Sequence, residues 1–272
     1  MRHDHHPHDR EHRERHRGPR LEGHGHPPAP DTDPVPLLLA VEARKLFDTR
    51  NGKIIFAIMI VLTLASVIGR GVASGPHLHT LIGTAGIGFG TLLPVLGILT
   101  VTGEWSHRTA LTTFALEPRR LRVPAAKCLS LLITTVAACL FAILVAIPVT
   151  AVVSGVQDVP ATWEVEPLAL LGWIATGVLV VAEGLALGML LLNAPAAIVI
   201  LLVTPVVWSA VSGLGATGKA LAGWLDLNTT ANPLMASDMT GGDAARLAVS
   251  AIVWIVVPMT AGAVRVIRKE VN

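Results

Sequence analysis

The chain has 272 residues, of which 52% are apolar and only 15% are charged, and its mean hydropathy is +0.61. This balance excludes an ordinary soluble domain of that length and indicates a membrane protein. The net charge of +2 says little as a total, because the charges are sorted by position. Two cysteines, Cys128 and Cys139, lie in one predicted helix at about 16 Å along its axis, too far apart for a disulfide.

The first 36 residues differ from the rest of the chain. They hold eight of the eleven histidines and six arginines, with almost no aliphatic side chain before Val35. Such a segment cannot bury enough apolar surface to fold, so we expect residues 1–36 to be a disordered cytoplasmic tail. Histidine-rich tracts can bind metal. No spacing here resembles a fixed four-ligand site, and a solvated basic tail near anionic lipid is the preferred interpretation.

An amphipathic helix is predicted over residues 37–48. Its apolar side chains share an arc of about 120°, and charged side chains occupy the remainder. A basic amphipathic helix immediately before a membrane span should lie in the membrane interface, with its apolar face towards lipid. The alternative is a cytoplasmic helix packed on protein. The residues assigned to the interfacial helix are Glu42, Arg44, Lys45, Phe47 and Asp48.

Six apolar spans follow, which predicts an all-α membrane domain over residues 37–272. We place the spans at residues 54–69, about 80–102, 128 to about 153, 168–192, 196–212 and 247–264. The second contains several glycines and Pro94, so we expect a kink and close helix packing there. A tight turn at residues 193–195 should join the fourth and fifth spans.

The basic residues predict the orientation of the spans. Segments 1–53, 103–127 and 265–272 hold 18 of the 21 lysines and arginines, and the opposite segments hold only Arg70, Lys219 and Arg246. The positive-inside rule therefore puts both termini and segment 103–127 in the cytoplasm. The loops predicted outside are acidic, with Asp158, Glu164, Glu166, Asp226, Asp238 and Asp243.

One stretch of the sequence nearly matches a nucleotide-binding motif, but it lacks a residue that the motif requires. Residues 213–220, GLGATGKA, almost spell the phosphate-binding P-loop, but Ala220 stands where Ser or Thr would bind Mg²⁺. No strand precedes this stretch, and it falls on the predicted outer side, so we expect a glycine-rich external loop. The chain also lacks the sequence patterns HExxH and GxSxG, and we expect no enzyme, no catalytic residue and no metal site.

Segment 103–127, GEWSHRTALTTFALEPRRLRVPAAK, is a basic island between two spans. A short helix is expected there, with threonines on one side and charged and apolar residues on the other, ending before Pro118. Such a helix suits docking into a groove of another protein. The alternative is that the island's arginines only set topology and touch lipid phosphates.

The same segment resembles the signature region of ABC-2-type permeases, the membrane subunits of one class of ABC exporters. The resemblance rests on Gly103-Glu104, the threonines, Pro118-Arg119-Arg120 and Ala125-Ala126-Lys127, with the helix before the first span as further support. It implies docking on a separate ATP-binding cassette subunit, which would hold ATP and Mg²⁺. The implied docking residues are Glu104, Arg108, Thr109, Thr112, Thr113, Phe114, Pro118, Arg119 and Arg120. It also implies a second permease copy or a paralogue, with a homodimer expected.

Glu183 is the one ionisable residue deep inside a predicted span. Burying it in hydrocarbon costs several kcal/mol, so it must face protein or water. It either lines a cargo path or carries a proton, or it is a hydrogen-bonded or protonated carboxyl with a packing role. Gly184 and Gly188 form a small-xxx-small face, which indicates close contact with another helix.

These observations predict a six-span permease in the cell membrane, in contact with lipid and without nucleic acid. It would move a lipophilic or amphipathic cargo outward, using ATP hydrolysed by a separate subunit. The alternative is a non-transporting membrane protein whose histidine-rich tail binds metal.

Overall fold

The computed structural model describes residue 48, residues 50–106 and residues 122–269. Within these residues the chain is helical and has no β-strand, which confirms the predicted all-α membrane fold. An isolated parallel bridge joins His77 to Thr162 and ties two connections between helices together. The predicted tail, residues 1–36, lies outside the described residues.

Nine α-helices and one π-helical turn make up the described part of the chain. They are α1 (Arg50–Ser74), α2 (Leu78–Ser106), α3 (Arg122–Gln157), α4 (Pro167–Leu191), α5 (Ala194–Ser212), α6 (Ala216–Leu225), α7 (Leu227–Ala236), α8 (Gly241–Ala251), the π-turn (Ile252–Val256) and α9 (Val257–Lys269). The predicted turn before α5 is present, and the Asn193 side chain accepts a hydrogen bond from the amide of Ala196.

Six helical segments are long and apolar enough to cross a membrane. They are Gly52–Ser74, Leu78–Gly103, Ala125–Gln157, Pro167–Leu191, Ala194–Ser212 and Gly241–Arg265. They match the six predicted spans one for one, but the predicted bounds are too short at the first, third and sixth. The first span continues past Arg70 and ends at Ser74. The next residue, Gly75, has a φ of +87°, the left-handed conformation that commonly ends helices.

The sixth span begins earlier than predicted because a capping box starts its helix. The hydroxyl of Thr240 accepts from the amide of Asp243, and the carboxylate of Asp243 accepts from the amide of Thr240. This pairing satisfies amides that the first turn leaves free. The span therefore comprises α8, the π-turn and the first part of α9.

The core of the bundle lies around α2 and α4. Helix α2 is the most buried of the six spans and contacts α1, α3, α4 and α5, whereas α5 is the least buried. The largest fully buried side chains include Leu81, Leu93, Ile98, Leu131 and Leu185. Large apolar side chains on α1, α3 and α5 are exposed instead, as expected of surfaces that face lipid.

Close helix packing along α2 is confirmed at some of its glycines and absent at others. A Cβ atom at Gly88 would lie 3.2 Å from the carbonyl oxygen of Met59, so α1 and α2 approach closely there. Gly83 and Gly90 face open space. Helix α2 continues as one helix through Pro94.

The prediction of a glycine-rich external loop over residues 213–220 is wrong for most of that stretch. Helix α6 begins at Ala216, so Gly218 and Lys219 lie within a helix. The connection that remains is short, and Gly215 with its φ of +89° immediately precedes the helix. The preceding element is helix α5, and the strand–loop–helix geometry of a P-loop is therefore missing at this position.

Candidate functional site

The structure describes only the two edges of segment 103–127. Residues 103–106 are the last turn of α2, and residues 122–127 open α3. Glu104 therefore extends a membrane-spanning helix instead of belonging to a separate one. The other residues assigned to docking lie outside the described residues, and these are Arg108, Thr109, Thr112, Thr113, Phe114, Pro118, Arg119 and Arg120.

The two helices that flank this segment pack directly on each other. A Cβ atom at Gly97 in α2 would lie 2.7 Å from the nearest methyl carbon of Leu131 in α3. Lys127, in the first turns of α3, is buried, and its carbonyl accepts a hydrogen bond from the hydroxyl of Ser130. The segment is therefore flanked by two helices that contact each other.

The interfacial helix is described only at its end. Asp48 forms an ion pair with Lys53 at the start of α1, with 3.4 Å between Nζ and Oδ1. Both side chains are largely exposed, so this pair adds little stability. The remaining residues of the predicted helix lie outside the described residues, and these are Glu42, Arg44, Lys45 and Phe47.

Glu183 lies on a part of α4 that is buried on several sides, and its own side chain is only 4% exposed. The two small residues after it contact α2, as their spacing predicts. A Cβ atom at Gly184 would lie 2.8 Å from the carbonyl oxygen of Pro94, and one at Gly188 would lie 3.2 Å from the Cα atom of Ile98. The α2–α4 contact is therefore almost backbone to backbone in the turn that follows Glu183.

Glu183 lies on the face of α4 that meets α7 near the start of α4. It follows Gly172 by eleven residues, which is about 20° of rotation on a helix, so the two share one face of α4. At Gly172 this face meets α7, where a Cβ atom would overlap the carbonyl oxygen of Leu234.

Two buried acidic side chains, Glu183 and Asp226, differ in their hydrogen bonding. Asp226 is 7% exposed, and its carboxylate accepts hydrogen bonds from the amides of Asn228 and Thr229, at 3.2 Å each. Its charge is thus held by the first turn of α7. The carboxyl group of Glu183 makes no hydrogen bond with another described residue. The hydrogen-bonded alternative for Glu183 therefore finds no partner in the described part of the chain.

The pair α6–α7 is a feature that the sequence reasoning missed. Asp226 was expected on an exposed outer loop, but it is buried where α6 and α7 join. The close approach of Gly172 and Leu234 places α7 against the start of α4. The indole nitrogen of Trp254 in the π-turn donates to the carbonyl of Leu225 at 2.7 Å and holds this junction.

A cavity of about 650 Å³ opens at the end of the bundle opposite to segment 103–127. It lies between the start of α2, the start of α4 and the end of α7. His79 and Glu166 line it together with Trp173 and Asn232. Its size falls within the range of small-molecule sites. None of these residues except Glu166 was singled out from the sequence, and Glu166 was noted only as an outer charge.

Six helices that are long and apolar enough to cross a membrane define the class of this chain, a multi-pass helical membrane protein. Comparison with protein-family models, with curated proteins and with solved structures finds no match.

Proposed function

We propose that this chain is the membrane permease subunit of an ABC-2-type exporter, which moves a lipophilic or amphipathic cargo outward. A separate subunit binds ATP and Mg²⁺ and hydrolyses the nucleotide. One observation carries the proposal: the motif-bearing segment 103–127 joins α2 and α3, which pack on each other, and α2 is the central helix of the bundle.

The packing supports a route for coupling. Movement of an ATP-binding subunit would push the segment and shift the ends of α2 and α3 together. Helix α2 also contacts α1, α4 and α5, so that shift reaches most of the bundle. Two permease copies, or one copy and a paralogue, would form the cargo path between them. Packed helices switch between discrete arrangements, which suits alternating access.

The experiment that tests this proposal is purification of the full chain from native membranes under mild detergent. A separate ATP-hydrolysing subunit should co-purify in a stoichiometric amount. A chain that reproducibly comes alone, with metal bound to the tail at residues 1–36, would favour the non-transporting alternative.

The charge distribution predicts the sidedness of the protein in the cell membrane, with both termini in the cytoplasm. In a chain whose Cys128 and Cys139 are replaced by alanine, Asp238→Cys should react with a membrane-impermeant thiol reagent in intact cells. Arg119→Cys should react only after the membrane is opened. The reverse pattern would overturn both the orientation and the docking role of segment 103–127.

Glu183→Gln should separate a functional carboxyl from a structural one. The substitution keeps the shape and removes a buried charge that has no hydrogen-bond partner among the described residues. We therefore expect the free energy of unfolding to be unchanged or raised by about 1 kcal/mol, while transport falls.

Asp226→Ala is the matched comparison for Glu183→Gln. It removes the cap of α7 and should lower the free energy of unfolding by about 1 kcal/mol. Thermal unfolding of the purified variants and transport in vesicles are the two measurements. Loss of stability in Glu183→Gln, as large as that in Asp226→Ala, would assign Glu183 a structural role only.

A further inference from the structure

The cavity between α2, α4 and α7 has an apolar wall built from rigid parts. Ile82, Leu170 and Trp173 contribute to it. The Trp173 ring meets the Phe89 ring edge to face, with 5.6 Å between centroids and 79° between planes. This contact fixes the indole, which gives a ligand a large preorganised aromatic surface at low entropic cost.

The polar groups of the cavity are free to bind a ligand. Glu166 immediately precedes α4, yet its side chain does not cap that helix. The side chains of His79 and Asn232 also make no hydrogen bond with another described residue, and neither does the indole nitrogen of Trp173. A few convergent polar groups above an apolar wall are what small-molecule sites commonly present.

The charged groups that line the cavity determine whether it favours a cationic or an anionic ligand. Glu166 is the one carboxylate in its lining, and no lysine or arginine lines it among the described residues. A carboxylate at the edge of an apolar wall attracts cations and repels anions.

We infer that this cavity binds an amphipathic organic cation, with its apolar body against Trp173 and its positive head at Glu166. We further infer that the exporter's cargo belongs to this chemical class. The first statement stands on the cavity alone, and the second rests on the proposed function.

The test is binding of tetraphenylphosphonium to the full chain in lipid nanodiscs, without any ATPase and with empty nanodiscs as background. Tetraphenylborate has similar size and apolarity but the opposite charge. We expect the phosphonium to bind and the borate not to. Glu166→Gln should weaken phosphonium binding about two- to fivefold, the loss expected when one solvent-exposed charge pair is removed.

Glu164→Gln is the control, because Glu164 lies two residues away, is exposed and does not line the cavity. It should bind the phosphonium as the unmodified chain does. Trp173→Leu should also weaken binding, since it removes the aromatic wall. Equal affinity in Glu166→Gln and the unmodified chain, or equal binding of the two probes, would overturn the inference.

Adding the ATPase subunit separates this inference from the proposed function. If the phosphonium binds and also raises ATP turnover, both statements stand. If it binds but leaves turnover unchanged, the cavity stands and the cargo assignment falls. If the chain stimulates the ATPase but never binds the phosphonium, the exporter stands and the cavity inference falls.

Discussion

Gly172→Ala is expected to lower the thermal midpoint of the purified protein by roughly 5–10 °C, the effect of an overpacked site that loses about 2–3 kcal/mol. The added Cβ atom would overlap the carbonyl oxygen of Leu234 in α7. A backbone oxygen cannot rotate away as a side chain can, so α7 must move off α4. That movement would also disturb the cavity and the setting of Glu183.

Gly155→Ala is the matched control for this prediction. Gly155 also lies within a helix, α3, but a Cβ atom there meets nothing within 4 Å. Alanine should stabilise that helix by up to about 1 kcal/mol relative to glycine. Fluorescence-detected thermal unfolding in one detergent compares the two variants. If Gly172→Ala is as stable as Gly155→Ala, α7 does not pack on α4 as described.

Glu104→Ala and Thr112→Trp are expected to weaken binding of the ATPase subunit about tenfold or more, as truncation or blocking of a central interface residue does. Glu104 lies in the last turn of α2, and its loss removes a contact that the permease resemblance assigns to docking. A bulky ring at position 112 should block a groove that accepts the threonine side of the segment. Expression and membrane insertion should stay near normal, because neither substitution changes a span.

Arg122→Gln is the control for these two variants. A topology signal shared among five cations tolerates the loss of one, so this change should have little effect. Pull-down of the ATPase subunit and its ATP turnover in reconstituted vesicles are the measurements. Full retention of both in Glu104→Ala and Thr112→Trp would leave segment 103–127 with a role in orientation only.

Much of the fold could be predicted because membrane spans are marked by length and apolarity. All six were found, since a helix must satisfy its backbone internally and therefore needs about twenty apolar residues. The bounds were less accurate. Ends such as Gly75 and Thr240 depend on capping geometry, and a hydropathy pattern does not report it.

The α6–α7 pair could not be found in the same way. Each of these helices has ten residues, too few for a span, and both fall between the fifth and sixth predicted spans, where an outer connection is expected. The available signal was Asp226, whose carboxylate suits the first turn of a following helix. The packing of α7 on α4 is a tertiary contact, which the sequence pattern does not report.

The candidate site was foreseen in part. Sequence reasoning found that Glu183 must face protein or water and that Gly184 and Gly188 form a helix contact. It did not find the cavity, because His79, Glu166 and Asn232 lie far apart along the chain and meet only after three helices assemble. The docking residues of segment 103–127 and the interfacial helix stay predictions.

ATP turnover by the partner subunit in vesicles, measured with and without the full chain, tests the central claim most directly. The account predicts that the partner hydrolyses ATP faster with the chain present and that the chain alone hydrolyses none. Lys219→Ala should change neither result, because Lys219 lies in helix α6. ATP hydrolysis by the chain alone that is lost in Lys219→Ala, or a partner whose turnover ignores the chain, would contradict the account.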